Sequence, residues 1–223
     1  MADSLRAIAD CIGVGGGGTF SVRHNFFGFF RAPTADVSVA TQIQRLRGRH
    51  VHMNFIRVGA DQFTNADLIE MDSALQATRN LYAAANLGVG RIEHWEISTA
   101  DADGADNIGS DSEAEDLTND WTVPNSALDI FWVLTYATST IGLSRVDGPC
   151  DKDAKGMDGS VVAIEGDVNT SGFVLAHEAG HYLGLGHSSD GNNLMFGTVP
   201  NGGAITSGQG SNMRDHCFTK PGC

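Results

Sequence analysis

The segment His177-Glu178-Ala179-Gly180-His181-Tyr182-Leu183-Gly184-Leu185-Gly186-His187 gathers three imidazoles and one carboxylate within eleven residues. On a helix, residues four apart differ by only ~40° in direction and ~6 Å in height. His177 and His181 would then face the same way, one turn apart, and can clamp one metal ion. Glu178 is rotated ~100° from His177, near the ion without being the natural third ligand. A continuing helix would carry His187 ~9 Å beyond His181, so the helix must end and the chain must reverse. Gly184 suits that reversal, because glycine takes a positive φ without a Cβ clash. Three neutral histidines leave one position of a tetrahedral zinc site open for water. Zinc lowers the pKa of such a water to ~7 and polarises a carbonyl. Glu178 can accept the water's proton and pass it to a leaving amine. The expected metal ligands are therefore His177, His181 and His187, with Glu178 as the catalytic base and Zn2+ as the cofactor.

The surrounding chain must hold these groups. Residues 51–58 are rich in β-branched and apolar side chains and read as a strand. Residues 65–86 read as a long helix, with Leu68, Met71, Leu75, Tyr82 and Ala85 at three- and four-residue steps. Thr64 and Asp67 have capping-box spacing, and Gly88 stands where the helix should stop. Residues 92–98 read as a strand, 100–126 as a long acidic loop, 128–136 as an interior strand and 161–164 as a short strand. Asn169, Thr170 and Ser171 form a glycosylation sequon but read better as N-caps of the metal-site helix. Residues 205–218 read as a C-terminal helix, with Thr206 and Gln209 in capping-box spacing. The order predicts an α/β fold with at least one right-handed crossover.

Composition excludes some classes. The 223 residues carry a net charge of −13, 18% charged residues and 28 glycines, which suits a loop-rich globular chain. Between Arg91 and Arg145 there are eleven acidic residues and no Lys or Arg. Such a chain repels phosphates, so neither nucleic acid nor an anionic membrane is an expected partner. No apolar run reaches the ~18 residues that span a bilayer. The four cysteines lack paired CxxC spacing, which argues against a cysteine zinc site.

The extended motif HExxHxxGxxH resembles that of the metzincin metallopeptidases, which continue to a Met-turn. Asn193-Leu194-Met195-Phe196 looks like that turn, with Met195 eight residues after His187. Within the group, His187 to Gly197 looks most like the matrixins: Ser188 follows the third His, and Asp190 stands at a position where matrixins commonly have an acidic residue. Two features depart from relatives. Phe196 replaces the tyrosine that astacins and serralysins place after the Met-turn, and His24, His50, His52 and His94 lack the spacing of a second matrixin zinc site. Those histidines, with His216, read as structural or exposed.

The resemblance implies a twisted mixed β-sheet with a long helix and an active-site helix, followed by a small C-terminal subdomain. It implies a zinc endopeptidase that holds an extended substrate antiparallel to an edge strand, here within residues 141–165. Residues 198–203 would wall the pocket beyond the scissile bond, and their lack of charge favours a small or apolar side chain. Protein or peptide substrates, a monomeric state and secretion go with this reading. The alternatives are a catalytically silent zinc-binding protein and a zinc hydrolase of a non-peptide amide. The intact Glu178 disfavours the silent one.

Three expectations concern the periphery. Asp101, Asp103 and Asp106 with Gly104 offer oxygen ligands for Ca2+, although the glycine is misplaced for an EF-hand. Cys150–Cys217 with Cys11–Cys223 is the favoured disulfide pairing among three. The catalytic domain is expected over 50–223. Residues 1–49, with Cys11, a Phe cluster and the basic RLRGR, form either an integral extension or a removable pro-segment.

Overall fold

The structure is a computed structural model that describes residues 48–137, 141–152, 154 and 156–221. The Phe cluster, Cys11, His24 and Cys223 lie outside the described residues, as does the expected Cys11–Cys223 bridge.

A mixed sheet forms the centre, in the order β2-β1-β4-β7-β6. Its strands are β1 (Arg49–Val58), β2 (Leu87–Ile97), β4 (Leu128–Val133), β6 (Gly142–Ser144) and β7 (Ser160–Ala163). β1 pairs in parallel with β2 and β4, and β4 in parallel with β7. β6 is the antiparallel edge strand, aligned with β7 from Gly142↔Val162 to Ser144↔Ser160. An edge strand therefore lies inside the window of residues 141–165. A smaller parallel pair joins β3 (Asn107–Ile108) to β5 (Thr135–Tyr136).

Because strand side chains alternate between faces, the sheet feeds two cores. Met53, Phe55, Leu128, Ile130 and Trp132 point to one core with Met71, Tyr82, Leu175 and Tyr182. Ile56, Val58, Phe131 and Val133 point to the other, with Ile108, Ala114 and Leu117. Burial on both faces explains the nearly unbroken apolar run of β4.

The first core is roofed by α1 (Asn65–Ala83) and the later helix α4 (Val168–Tyr182). Thr64 and Asp67 close a reciprocal capping box at the start of α1. The helix ends three residues earlier than its periodicity suggests. Asn86 takes the left-handed turn at φ 52°, and Gly88 is already paired in β2. The two helices are locked together. The Tyr82 hydroxyl donates to the Ala176 carbonyl at 2.8 Å. Buried Glu70 accepts from the backbone N–H groups of Glu165 (2.9 Å) and Gly166 (3.2 Å) and from the Ser171 hydroxyl.

The acidic stretch over 100–126 is not one loop. It contains α2 (Thr99–Ala102), β3 and α3 (Asp111–Asp120). Ser98 and Ser110 cap the two helices, and α3 buries Ala114, Leu117 and Thr118 along one narrow stripe. Asp111 and Glu113 lie in the first turn of α3, where the helix dipole favours negative charge. Asp101, Asp103 and Asp106 are not drawn together as a cation cluster: the groups of potential metal ligands found among the described residues lie elsewhere. Asp106 instead accepts from Gln62 Nε2 at 2.7 Å and Asn107 Nδ2 at 2.9 Å.

The C-terminal helix α5 is shorter than expected, Ser207–Asp215, with the Thr206–Gln209 capping box formed. The chain then returns to the sheet as β8 (Thr219–Lys220), antiparallel to the start of β1. A disulfide joins Cys150 to Cys217, with Cα atoms 5.9 Å apart. No helix among the described residues is long and apolar enough to cross a membrane.

Candidate metal centre

The helix α4 begins at Asp167, whose carboxylate accepts from the N–H groups of Asn169 (3.4 Å) and Thr170 (3.1 Å). The cap is therefore two to four residues before the expected Asn169, Thr170 and Ser171, and the Ser171 hydroxyl donates to Glu70 instead. At its other end the helix closes in a Schellman motif. Gly184, at φ 95°, donates to the His181 carbonyl at 2.9 Å, and Leu185 donates to the Gly180 carbonyl at 3.0 Å. The chain reverses there and carries His187 back to the helix.

The structure brings His177, His181 and His187 together, with one potential ligand atom from each lying within 4.8 Å of the others. His177 and His181 are buried at 6% exposure each, whereas His187 is exposed. His177 Nδ1 lies 2.8 Å from the Leu194 carbonyl, and His181 Nδ1 lies 2.6 Å from the Leu185 carbonyl. A carbonyl only accepts, so each Nδ1 carries the proton and each Nε2 presents its lone pair. His181 Nε2 and His187 Nε2 are 3.1 Å apart. Two nitrogens on one tetrahedral zinc would stand ~3.3 Å apart, from Zn–N bonds of ~2.0–2.1 Å. Donor set, tautomer and spacing therefore fit zinc. Burial pushes the His181 imidazole down to about 4 and lowers His177 as well, which favours the neutral, ligating form.

Glu178 is 8% exposed, beside the cluster, and burial pushes its carboxyl up to about 8. The edge strand β6 passes directly over it at Gly142. Below the site, Met195 is fully buried, and a Cβ on Gly180 would lie 3.0 Å from its sulfur. Met195 also ties the turn to the third histidine's neighbour, since its carbonyl accepts from Ser188 N–H at 2.8 Å.

Several supporting residues carried no signal in the motif. Asn193 and Gln209 exchange reciprocal amide hydrogen bonds at 2.8 and 3.0 Å, which fixes the Met-turn to α5. Asn201 Nδ2 donates to the Leu194 carbonyl at 2.9 Å, sharing the oxygen that orients His177. Gln209 had its capping-box spacing as a sequence cue, and Asn193 and Asn201 fell within the turn and wall segments, but nothing in the sequence pointed to these hydrogen bonds. Asp190 serves the local turn, accepting from Asn192 N–H at 3.0 Å. The remaining described histidines are held elsewhere. His50 and His52 pack ring against ring at 4.8 Å, His94 packs edge-on against Phe55, and His216 donates to the Gly148 carbonyl.

Sheet, roof helices, antiparallel edge strand and histidine cluster together define a metzincin-like metallopeptidase fold. The sequence model of the matrixins matches residues 92–206, more than half of the chain, and the chain belongs to that family. Among solved structures, it is similar to metalloproteinase-II from Bacteroides fragilis, at 12% identity and a TM-score of 0.53, covering 78% of this chain and 54% of that one. It is also similar to a chain in a chaperone–substrate complex, at 13% identity and a TM-score of 0.54, covering 76% of this chain and 35% of that one. At these identities the likeness is one of fold. The chain spans about half the length of the first structure and about a third of the second. No curated protein matches the sequence.

Proposed function

We propose that the protein is a zinc-dependent endopeptidase acting on protein or peptide substrates, with His177, His181 and His187 as ligands and Glu178 as general base. One observation carries the reading. Two imidazoles are turned by carbonyl partners so that their Nε2 lone pairs face a third histidine, beside a buried carboxylate. Zinc held there supplies an electrophile for the scissile carbonyl and acidifies water.

The chain's own residues do the rest. Burial raises the proton affinity of Glu178, which suits a group that must take a proton from water and hold it for the departing amine. β6 stands at the end of the sheet order, and its outer edge supports binding of an extended peptide through added-strand hydrogen bonds. The Cys150–Cys217 bridge fits an oxidising compartment, so the reading includes secretion. It also includes a monomeric enzyme without nucleic-acid or membrane partners.

Incubation of the zinc-loaded protein with casein or gelatin tests the proposal. Cleavage is expected, with loss on chelation and recovery when zinc is returned. Absence of cleavage, or cleavage indifferent to chelator, overturns it.

A further inference from the structure

The loop before β7 runs across the C-terminal end of the metal-site helix. Asp147 N–H donates to the His181 carbonyl at 3.0 Å, and Gly148 N–H donates to the Tyr182 carbonyl at 2.9 Å. The Tyr182 hydroxyl donates to the Pro149 carbonyl at 2.9 Å. Any side chain at position 148 would run into the Tyr182 ring. From the other side, His216 Nε2 donates to the Gly148 carbonyl at 3.0 Å. His216 and Phe218 both pack on the Tyr182 ring, each with centroids 5.8 Å away. The Cys150–Cys217 bridge closes this circle. Residues 147–150 and 216–218 thus form a strap around the last helical turn, the turn that carries His181 and leads to Gly184 and His187.

The bridge itself is unlike a buried staple. Both of its cysteines are exposed, and they line an open cavity of about 290 Å³. Among the described residues, Lys152 and Lys220 are the charged side chains lining that cavity, in a chain whose net charge is −13, and Lys220 is the one of the two not balanced by the Asp129 carboxylate. Lys152 Nζ is paired with buried Asp129 at 2.7 Å and sits 5.3 Å from the Phe218 ring centroid. Lys220 Nζ donates to the Cys217 carbonyl at 3.5 Å. Exchange needs access for an attacking thiolate, and nearby positive charge favours thiolates both as attackers and as leaving groups.

We propose that Cys150–Cys217 is a thiol–disulfide exchange site for small anionic thiols, and that opening it loosens the metal-site helix end. The second half rests on the zinc reading above. In the first step, a thiolate attacks one cysteine sulfur, the S–S bond breaks, and the other cysteine leaves as a thiolate that takes a proton from solvent. A second thiolate then attacks the added sulfur, a new S–S bond forms between the two small thiols, the mixed S–S bond breaks, and the protein cysteine leaves as a thiolate that takes a proton from solvent. Two small thiols are oxidised and Cys150 and Cys217 are reduced. The strap then keeps its hydrogen bonds but loses its covalent closure.

The test uses the full chain loaded with zinc. It is exposed to glutathione, which is anionic, or to cysteamine, which is cationic, at matched thiolate concentrations. Alkylation and peptide mass mapping follow Cys150 and Cys217. Glutathione is expected to open the bridge at least ~5-fold faster, and Lys220→Glu is expected to erase that preference. The opened protein is expected to lose zinc to a chelator at least ~10-fold faster than the oxidised one, and reoxidation to restore the slow rate. Equal opening by both thiols, or opening by neither, overturns the exchange site. Opening with unchanged zinc loss overturns the coupling. Absence of zinc before any thiol is added overturns the zinc reading and the coupling with it, while the mass-mapped rates still decide the exchange site.

Discussion

Gly142 of the edge strand and Glu178 of the metal-site helix touch so closely that position 142 has no room for a side chain. A Cβ there would fall 2.7 Å from Glu178 Cγ and 3.1 Å from its Oε1. Gly142→Ala must therefore push the carboxylate or the strand aside. Peptidase activity is expected to fall at least ~10-fold, with an overpacking cost of ~1–3 kcal/mol in stability. Zinc content, read by elemental analysis, should be unchanged because no ligand moves. Full activity in the alanine variant would mean that the strand yields freely.

Glu178→Ala should retain zinc and the fold while losing at least ~100-fold in activity, the low end for a general base. Circular dichroism and zinc analysis beside the rate measurement separate this from unfolding. Retained activity would assign the proton transfer to another group.

Protein purified without chelator is expected to carry one zinc per chain. His187→Ala leaves two imidazoles, a poor site, and zinc retention under chelator challenge should drop by orders of magnitude. Zinc-free protein from a zinc-supplemented preparation would contradict the ligand assignment.

Gly184→Val probes the turn rather than a ligand. At φ 95° a β-branched residue is strained by ~1–3 kcal/mol. The Schellman reversal should shift and displace His187. Weakened zinc binding with α4 intact by circular dichroism is the expected result. Unaltered zinc affinity would show that His187 is positioned independently of the turn.

The metal-free protein should show two opposed pH effects. Burial pushes the His181 imidazole down to about 4 from an ordinary 6.5, so the unfolded chain binds more protons between those values. Its neutral burial costs nothing above pH 6.5 and weakens the fold as pH falls toward 4. Glu178 runs the other way. Burial pushes its carboxyl up to about 8 from an ordinary 4.5, so its contribution is complete below 4.5 and is lost as pH rises through 8. Between pH 6.5 and 8 the melting temperature of the metal-free protein should fall. In Glu178→Gln that fall should vanish, while the loss below 6.5 remains. Parallel profiles for the two proteins would contradict the assignment.

What could be read in advance follows from locality. The metal-site helix, the glycine reversal and both capping boxes depend on residues within about one helical turn, and their spacing is visible along the chain. The interior strand was visible because two-sided burial leaves a nearly unbroken apolar run, interrupted only by Asp129. The helix over Asp111–Asp120 was hidden because its acidic composition outweighed a stripe of only Ala114, Leu117 and Thr118. Other features depend on distant partners. Glu70 meets the start of α4 about a hundred residues on, Gly142 meets Glu178, and residues 219 and 220 return to β1. No periodicity announces such encounters, because each is decided by how the finished sheet is stacked.

The two ends of α4 are held by unlike devices, Glu70 and Asp167 at the start and the Schellman turn at the finish, with Tyr82 bound midway. His177 and His181 therefore behave as one rigid jaw. His187, exposed and beyond the turn, is the other jaw. If a metal ion is held there, a competing ligand arriving from solvent would meet exposed His187 before the buried pair, so exchange of the ion would have a direction.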